Sequence, residues 1–141
     1  MKNYLFSTED YNNDDTMDLL YEDEDNLLYY INEKNYNCLA VGKVQRWNGI
    51  FSGILYGDFI TLYNKILKDC DIREVYIENN ILYIYGIHHD GWVKAEIYFL
   101  TEQGEEMIEE RSNEMNQEKV YQFIINNKCY ININDLIKDF Y

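Results

Sequence analysis

Both histidines of the chain fall in one tetrad, His88-His89-Asp90-Gly91. Two imidazoles beside a carboxylate are the side chains that a metal centre or a general base would use. A small hydrolase or metal-dependent enzyme would draw on His88, His89 and Asp90. The spacing weighs against it. Successive residues of a strand point to opposite faces, so two adjacent imidazoles converge on one ion only where the strand has already ended. With no third histidine in the sequence, carboxylates or thiolates from distant, unmarked segments would have to complete the ligand shell. The preferred reading is the corner of a β-hairpin. Asp90 and Gly91 are its turn residues, His89 lies opposite Trp92, and His88 lies opposite Val93. Cys70 followed by Asp71 permits a thiol nucleophile only formally, because such pairs are common in inert chains. Ser7, Ser52 and Ser112 sit in no G-x-S-x-G context, and the chain has no Gly-rich phosphate loop or dinucleotide fingerprint. The expectation is a non-enzymatic protein with no catalytic residue, no metal and no cofactor.

Carboxylates form the second constellation. Twenty-six acids against twelve Lys and Arg give a net charge of −14, distributed unevenly. Residues 1–33 carry −9, residues 34–101 are balanced, and residues 102–118 carry −6. Such a chain is repelled by nucleic acid and by anionic membranes and is drawn to basic protein surfaces. In "TEQGEEMIEERSNEMNQE" a helix would set several glutamates on one broad stripe, where they repel one another at i,i+4. The plain interpretation is a solvated face that aids solubility. The sharper one is phosphate imitation, in which a fixed row of carboxylates occupies a Lys/Arg groove built for nucleic acid. The candidate partner-binding residues are Glu105, Glu106, Glu109 and Glu110, then Glu22, Asp23, Glu24 and Asp25.

The elements that would position these groups follow from turn signals and periodicity. At 141 residues the chain is about one domain long. Asn48-Gly49 and Asp90-Gly91, and less securely Asn79-Asn80, sit between apolar, β-rich runs and predict tight hairpin turns. Alternation sorts residues 73–100 into two faces. Val75, Ile77, Leu82, Ile84, Gly86, His88, Val93, Ala95, Ile97 and Phe99 share the core face, and Tyr76, Tyr83, Tyr85, Trp92 and Tyr98 share the other. That aromatic face predicts either burial under the N-terminal segment or an interface, a homodimer included. Phe59, Leu62, Tyr63, Ile66, Leu67 and Cys70 recur at helical spacing behind an Asp58 N-cap. A helix over about 15–31 and further helices after residue 100, the last capped by Asn134, complete the reading. The expected fold is one α+β domain over residues 1–141. An acidic segment (1–33) and C-terminal helices (101–141) flank a core (38–100) whose antiparallel sheet has about five strands, as a hairpin (38–56) and a meander (73–100) with a helix between them.

The start lacks the basic and apolar regions of a secretory signal, and no apolar run approaches the roughly 18 residues that span a bilayer. Cys38, Cys70 and Cys129 are odd in number and far apart, which predicts reduced thiols and a cytoplasmic protein. Gly42, Trp47-Asn48-Gly49, Cys70-Asp71 and the HHDG tetrad together resemble a family of small proteins carried by phages and mobile elements of low-GC Gram-positive bacteria. The resemblance covers about residues 38–100. Members often carry arginines directly after the first turn, where Ile50 and Phe51 stand here. The resemblance assigns no activity. It implies an accessory protein of phage or plasmid origin, a kind commonly aimed at host defence. Charge and implied origin together point to an anti-defence protein of anti-CRISPR-like or antirestriction-like strategy. Its partner would be a basic host protein or ribonucleoprotein defence complex, met without direct nucleic-acid contact and in the host cytoplasm. A self-associating structural or regulatory protein is the remaining alternative.

Overall fold

Asn79 and Asn80 adopt φ of 53° and 68°, the pair of left-handed conformations that a type I′ hairpin turn requires and that asparagine tolerates. They join β4 (Asp71–Glu78) to β5 (Ile81–His88), and β6 (Gly91–Phe99) completes the meander. The computed structural model describes residues 3–7, 39–46, 53–67, 69–89, 91–111 and 117–133. Among them β1 (Asn3–Ser7), β2 (Leu39–Arg46) and β3 (Gly53–Asp58) complete a six-stranded sheet of order β1-β4-β5-β6-β2-β3. Every neighbouring pair is antiparallel. Among the described residues three helices accompany it, α1 (Phe59–Leu67), α2 (Glu102–Arg111) and α3 (Gln117–Asn126). The fold is α+β, with one strand more than the turn signals count.

That strand is β1, which falls within the segment read as an acidic flank. It pairs with β4, and its register shifts between Tyr4 and Phe6. The extra residue of the bulge allows consecutive Leu5 and Phe6 both to enter the same core, which a regular pleat forbids. A second bulge, between Ile72 and Glu74 of β4, likewise places Ile72 beside Val75 and Ile77 in that core.

The hairpin of β5 and β6 closes differently from expectation. His88 pairs with Gly91, and Ile87, not His89, lies opposite Trp92. His89 therefore falls in the turn, Gly91 opens β6 with φ of 134°, and Asp90 lies outside the described residues. The slip is two residues, one full pleat period, so no side chain changes face. Every residue assigned to the core face from Val75 to Phe99 is buried except His88, which is half-buried. The register of β2 with β3, Val44 opposite Gly53, is the one that a two-residue turn at 48–49 sets. Asn48 and Gly49 themselves lie outside the described residues, as do the helix expected over 15–31 and the one capped by Asn134.

Two cores form, one on each face. On the first, α1 lays Phe59, Leu62, Tyr63, Ile66 and Leu67 against Val44, Ile84, Ala95 and Ile97. Cys70 lies beyond the helix, half-buried at the edge of that core. Asp69, at φ 64°, ends α1 in a left-handed cap, with the Cys70 N–H donating to the Leu67 carbonyl at 3.0 Å. On the second face, Ile108 of α2 and Val120, Tyr121 and Ile124 of α3 cover Val41, Ile54 and Tyr98. Among the described residues, the C-terminal helices bury this end of the aromatic face; residues 8–33, the rest of the N-terminal segment expected to cover it, lie outside them.

The tightest approach in the second layer is at Gly104 of α2, where a Cβ would stand 2.6 Å from the Cys129 carbonyl oxygen. Alanine in a helix is ordinarily favoured over glycine by about 1 kcal/mol. Overpacking against a fixed backbone atom costs about 1–3 kcal/mol, so the clash outweighs the propensity. Gly104→Ala is expected to lower the urea midpoint of unfolding with an unchanged m-value.

Candidate functional site: an acidic helix seated on the sheet

Thr101 is the N-cap of α2, its Oγ1 accepting from the Gly104 N–H at 3.2 Å. The same residue ties the helix to the end of α3, since Thr101 N–H and Oγ1 both donate to the Cys129 carbonyl, at 3.0 and 3.2 Å. One turn on, Glu105 Oε1 accepts from the Leu39 N–H at 2.8 Å, fastening α2 to the start of β2. Leu100 N–H donates to the Leu39 carbonyl at 2.9 Å, so both backbone groups of Leu39 are engaged at this junction. With Met107 and Ile108 buried beneath, the orientation of the helix about its own axis is fixed.

Glu102, Glu106, Glu109 and Glu110 are all exposed. At 100° per residue they span an arc of roughly 100° on the side away from the sheet. Glu102 stands in the first turn, where the helix dipole favours a negative charge. Glu109 and Glu110 stand in the last, where the dipole opposes one by about 0.3–1 kcal/mol each. The pairs Glu102/Glu106 and Glu106/Glu110 add i,i+4 repulsion. A helix that accepts these costs presents a row of carboxylates on a fixed frame. Of the four candidates on this helix, the structure sets Glu106, Glu109 and Glu110 in the row. It turns Glu105, half-buried, inward as an anchor. Glu102, not singled out from the sequence, joins the row. Helical periodicity alone gives its place, but the inward role of Glu105 depends on Leu39, 66 residues away, and has no local signal. Glu22, Asp23, Glu24 and Asp25 lie outside the described residues.

The histidine pair is the second candidate. Because β5 ends at His88, the two imidazoles are not held to opposite faces, and their ring centroids lie 3.9 Å apart at 43°. Among the described residues, no three His, Cys, Asp or Glu side chains gather in a group able to hold a metal ion. Cys70 is no better placed for nucleophilic work. Burial pushes its thiol up, Asp69 pushes the same way, and the Arg46 guanidinium only partly offsets them, so the reactive thiolate is disfavoured.

The third is the aromatic face. Tyr98 is buried, edge-on to Tyr121 and Tyr130 at 5.9 and 5.0 Å. Farther across the sheet, Tyr76 and Tyr83 stack at 4.9 Å, and a cleft of about 260 Å³ is lined by Glu74, Tyr76, Tyr85, Trp92 and Lys94. No helix among the described residues is long and apolar enough to cross a membrane. No family model, no curated protein and no solved structure matches the chain.

Two outcomes check this geometry. Glu105→Ala leaves the Leu39 N–H without its acceptor and is expected to cost about 1–2 kcal/mol. Glu105→Gln keeps an oxygen there and should cost markedly less, as chemical denaturation will show. Burial first, then the carboxylates and phenol nearby, push the Tyr83 phenol up to about 12. The raised value means that the folded state favours the neutral phenol. Its stabilising contribution is complete below about pH 10 and is lost as pH rises toward 12. Thermal melts between pH 9 and 12 should show this alkaline loss, and Tyr83→Phe should reduce it.

Proposed function

We propose that this chain is a non-enzymatic inhibitor whose acidic surface occupies a basic, nucleic-acid-binding surface of a host defence complex, as anti-CRISPR-like and antirestriction-like proteins do. The observation that carries the reading is the row Glu102, Glu106, Glu109 and Glu110, exposed on a helix pinned by Thr101, Gly104 and Glu105. Carboxylates on a fixed frame meet a Lys/Arg groove without first paying the ordering entropy of a mobile acidic tail. The net charge of −14 steers the encounter and makes it salt-sensitive. The resemblance to phage and mobile-element proteins supplies the setting, a low-GC Gram-positive cytoplasm, and the class of target. The aromatic cleft lies on the same side of the sheet as α2, so one docking event can engage both.

The test is protection. Expressed in a low-GC Gram-positive host that carries a nucleic-acid-targeting defence system, the protein should raise the plating efficiency of a targeted phage by at least tenfold. Replacing Glu102, Glu106, Glu109 and Glu110 together by Gln should remove the effect while leaving the far-UV circular dichroism and melting temperature close to wild type. Protection that survives the fourfold change, across the systems tested, would sink the acidic-row reading.

A further inference from the structure

Trp92, the second residue of β6, lies directly opposite Ile87 of β5, and both residues are 38% exposed. They are the exposed large hydrophobic residues of the described chain, and Trp92 lines the cleft. The floor follows from strand register. Glu74, Tyr85 and Lys94 are cross-strand neighbours on β4, β5 and β6. Tyr76 and Trp92 are each two residues along, on the same face. At about 260 Å³ the cleft is smaller than the roughly 300–1,000 Å³ of pockets that enclose whole small-molecule ligands. It has room for one long side chain.

Resting on the function proposed above, we infer that this cleft is the anchor site for an arginine side chain of the basic partner. A guanidinium is flat, delocalised and weakly hydrated, so it stacks on indole and phenol faces and still directs donors to a carboxylate at the edge. Exposed Trp92 and half-buried Tyr85 supply the faces, and Glu74 places a carboxylate in the lining. An ammonium is a compact, strongly hydrated charge and gains less from the same walls. Lys94 is the one lining group that opposes a cation. Its Nζ lies 5.4 Å from the centroid of the Tyr83 ring, toward the row that holds Glu96 opposite Tyr83. Its charge is thereby drawn toward the neighbouring row, though it still subtracts from affinity. A docked partner is then held twice on one side of the sheet. The carboxylate row gives attraction that salt weakens, and the cleft gives a stacked contact that salt weakens far less.

The experiment uses nona-arginine and nona-lysine as probes of equal charge, followed at low and high salt by calorimetry and tryptophan fluorescence. Nona-arginine is expected to bind at least fivefold more tightly and to change an emission that Trp92→Phe alters. Trp92→Ala should abolish the arginine preference and leave the salt dependence intact. This side chain is exposed, and Trp92→Phe, which keeps a ring face, should retain most of the preference. Lys94→Met should tighten nona-arginine about threefold. Replacing the four row glutamates by Gln should weaken both peptides alike. Equal, salt-sensitive binding of the two peptides, unaffected by Trp92→Ala, would overturn the arginine anchor alone. Weakening by Lys94→Met would also overturn it, marking a site for an anion or a sugar. Failure of both peptides to bind at low salt would overturn the acidic-row reading as well.

Discussion

The two-residue period of a pleated strand is the constraint on which the rest of this structure depends. On β5 and β6 it sends Leu82, Ile84, Val93, Ala95, Ile97 and Phe99 to one side, and Tyr83, Tyr85, Trp92, Lys94, Glu96 and Tyr98 to the other. The first set is aliphatic apart from Phe99 and accepts α1, whose own apolar stripe is aliphatic and aromatic. The second is amphipathic. Its buried polar tips need partners, and α3 provides one, since Tyr98 and Tyr121 share a hydrogen bond between their phenols. The same alternation that makes one face a dry core therefore makes the opposite face a mixed one, part helix seat and part open cleft.

The alternation was legible in the sequence because it is local. With turns near 79–80 and 90–91, parity sorts β5, β6 and β4 from Glu74 onward correctly, and even pairing His89 with Trp92 leaves each side chain on its proper face. The helix after Asp58 was legible for the same reason, through the spacing of Phe59, Leu62, Tyr63 and Ile66. What sequence did not disclose was long-range. "NYLFS" is a five-residue strand whose partner strand lies far downstream, Asn3 pairing with Ile77 and Ser7 with Glu74, and its two core residues are consecutive, which is a strand signal only once a bulge is known to separate them. The hydrogen bond from Leu39 to Glu105 is likewise invisible to periodicity, so the sequence grouped Glu105 with the exposed glutamates when its carboxylate serves the backbone. Nor could composition tell which element covers Tyr98, because both flanks carry apolar residues at helical spacing.

The Cys129 carbonyl concentrates much of the positional information in the second layer. It accepts twice from Thr101 and closes against Gly104. Cys129 N–H donates in turn to the Ile124 carbonyl at the end of α3, where Lys128 takes φ of 52°. A left-handed residue at the exit of one helix is thus coupled through a single residue, Cys129, to the N-cap of another. Charge repulsion along α2 tends to fray that helix. The capping at its start, the carboxylate tie to β2 and the apolar contacts of Met107 and Ile108 oppose the fraying, which reconciles an unfavourable surface with an ordered element.

The two bulges also bear on how this sheet meets other chains. β1 is an outer strand of the sheet, and an outer strand that is straight and regular is a template onto which any extended segment can add. The break between Tyr4 and Phe6 interrupts the spacing of donors and acceptors along that border, and the neighbouring break in β4 increases the local coiling beneath it. Growth of the sheet past β1 would have to match a kinked border. Recruitment of a foreign strand is thereby discouraged on that side, and contact with other molecules is left to the faces.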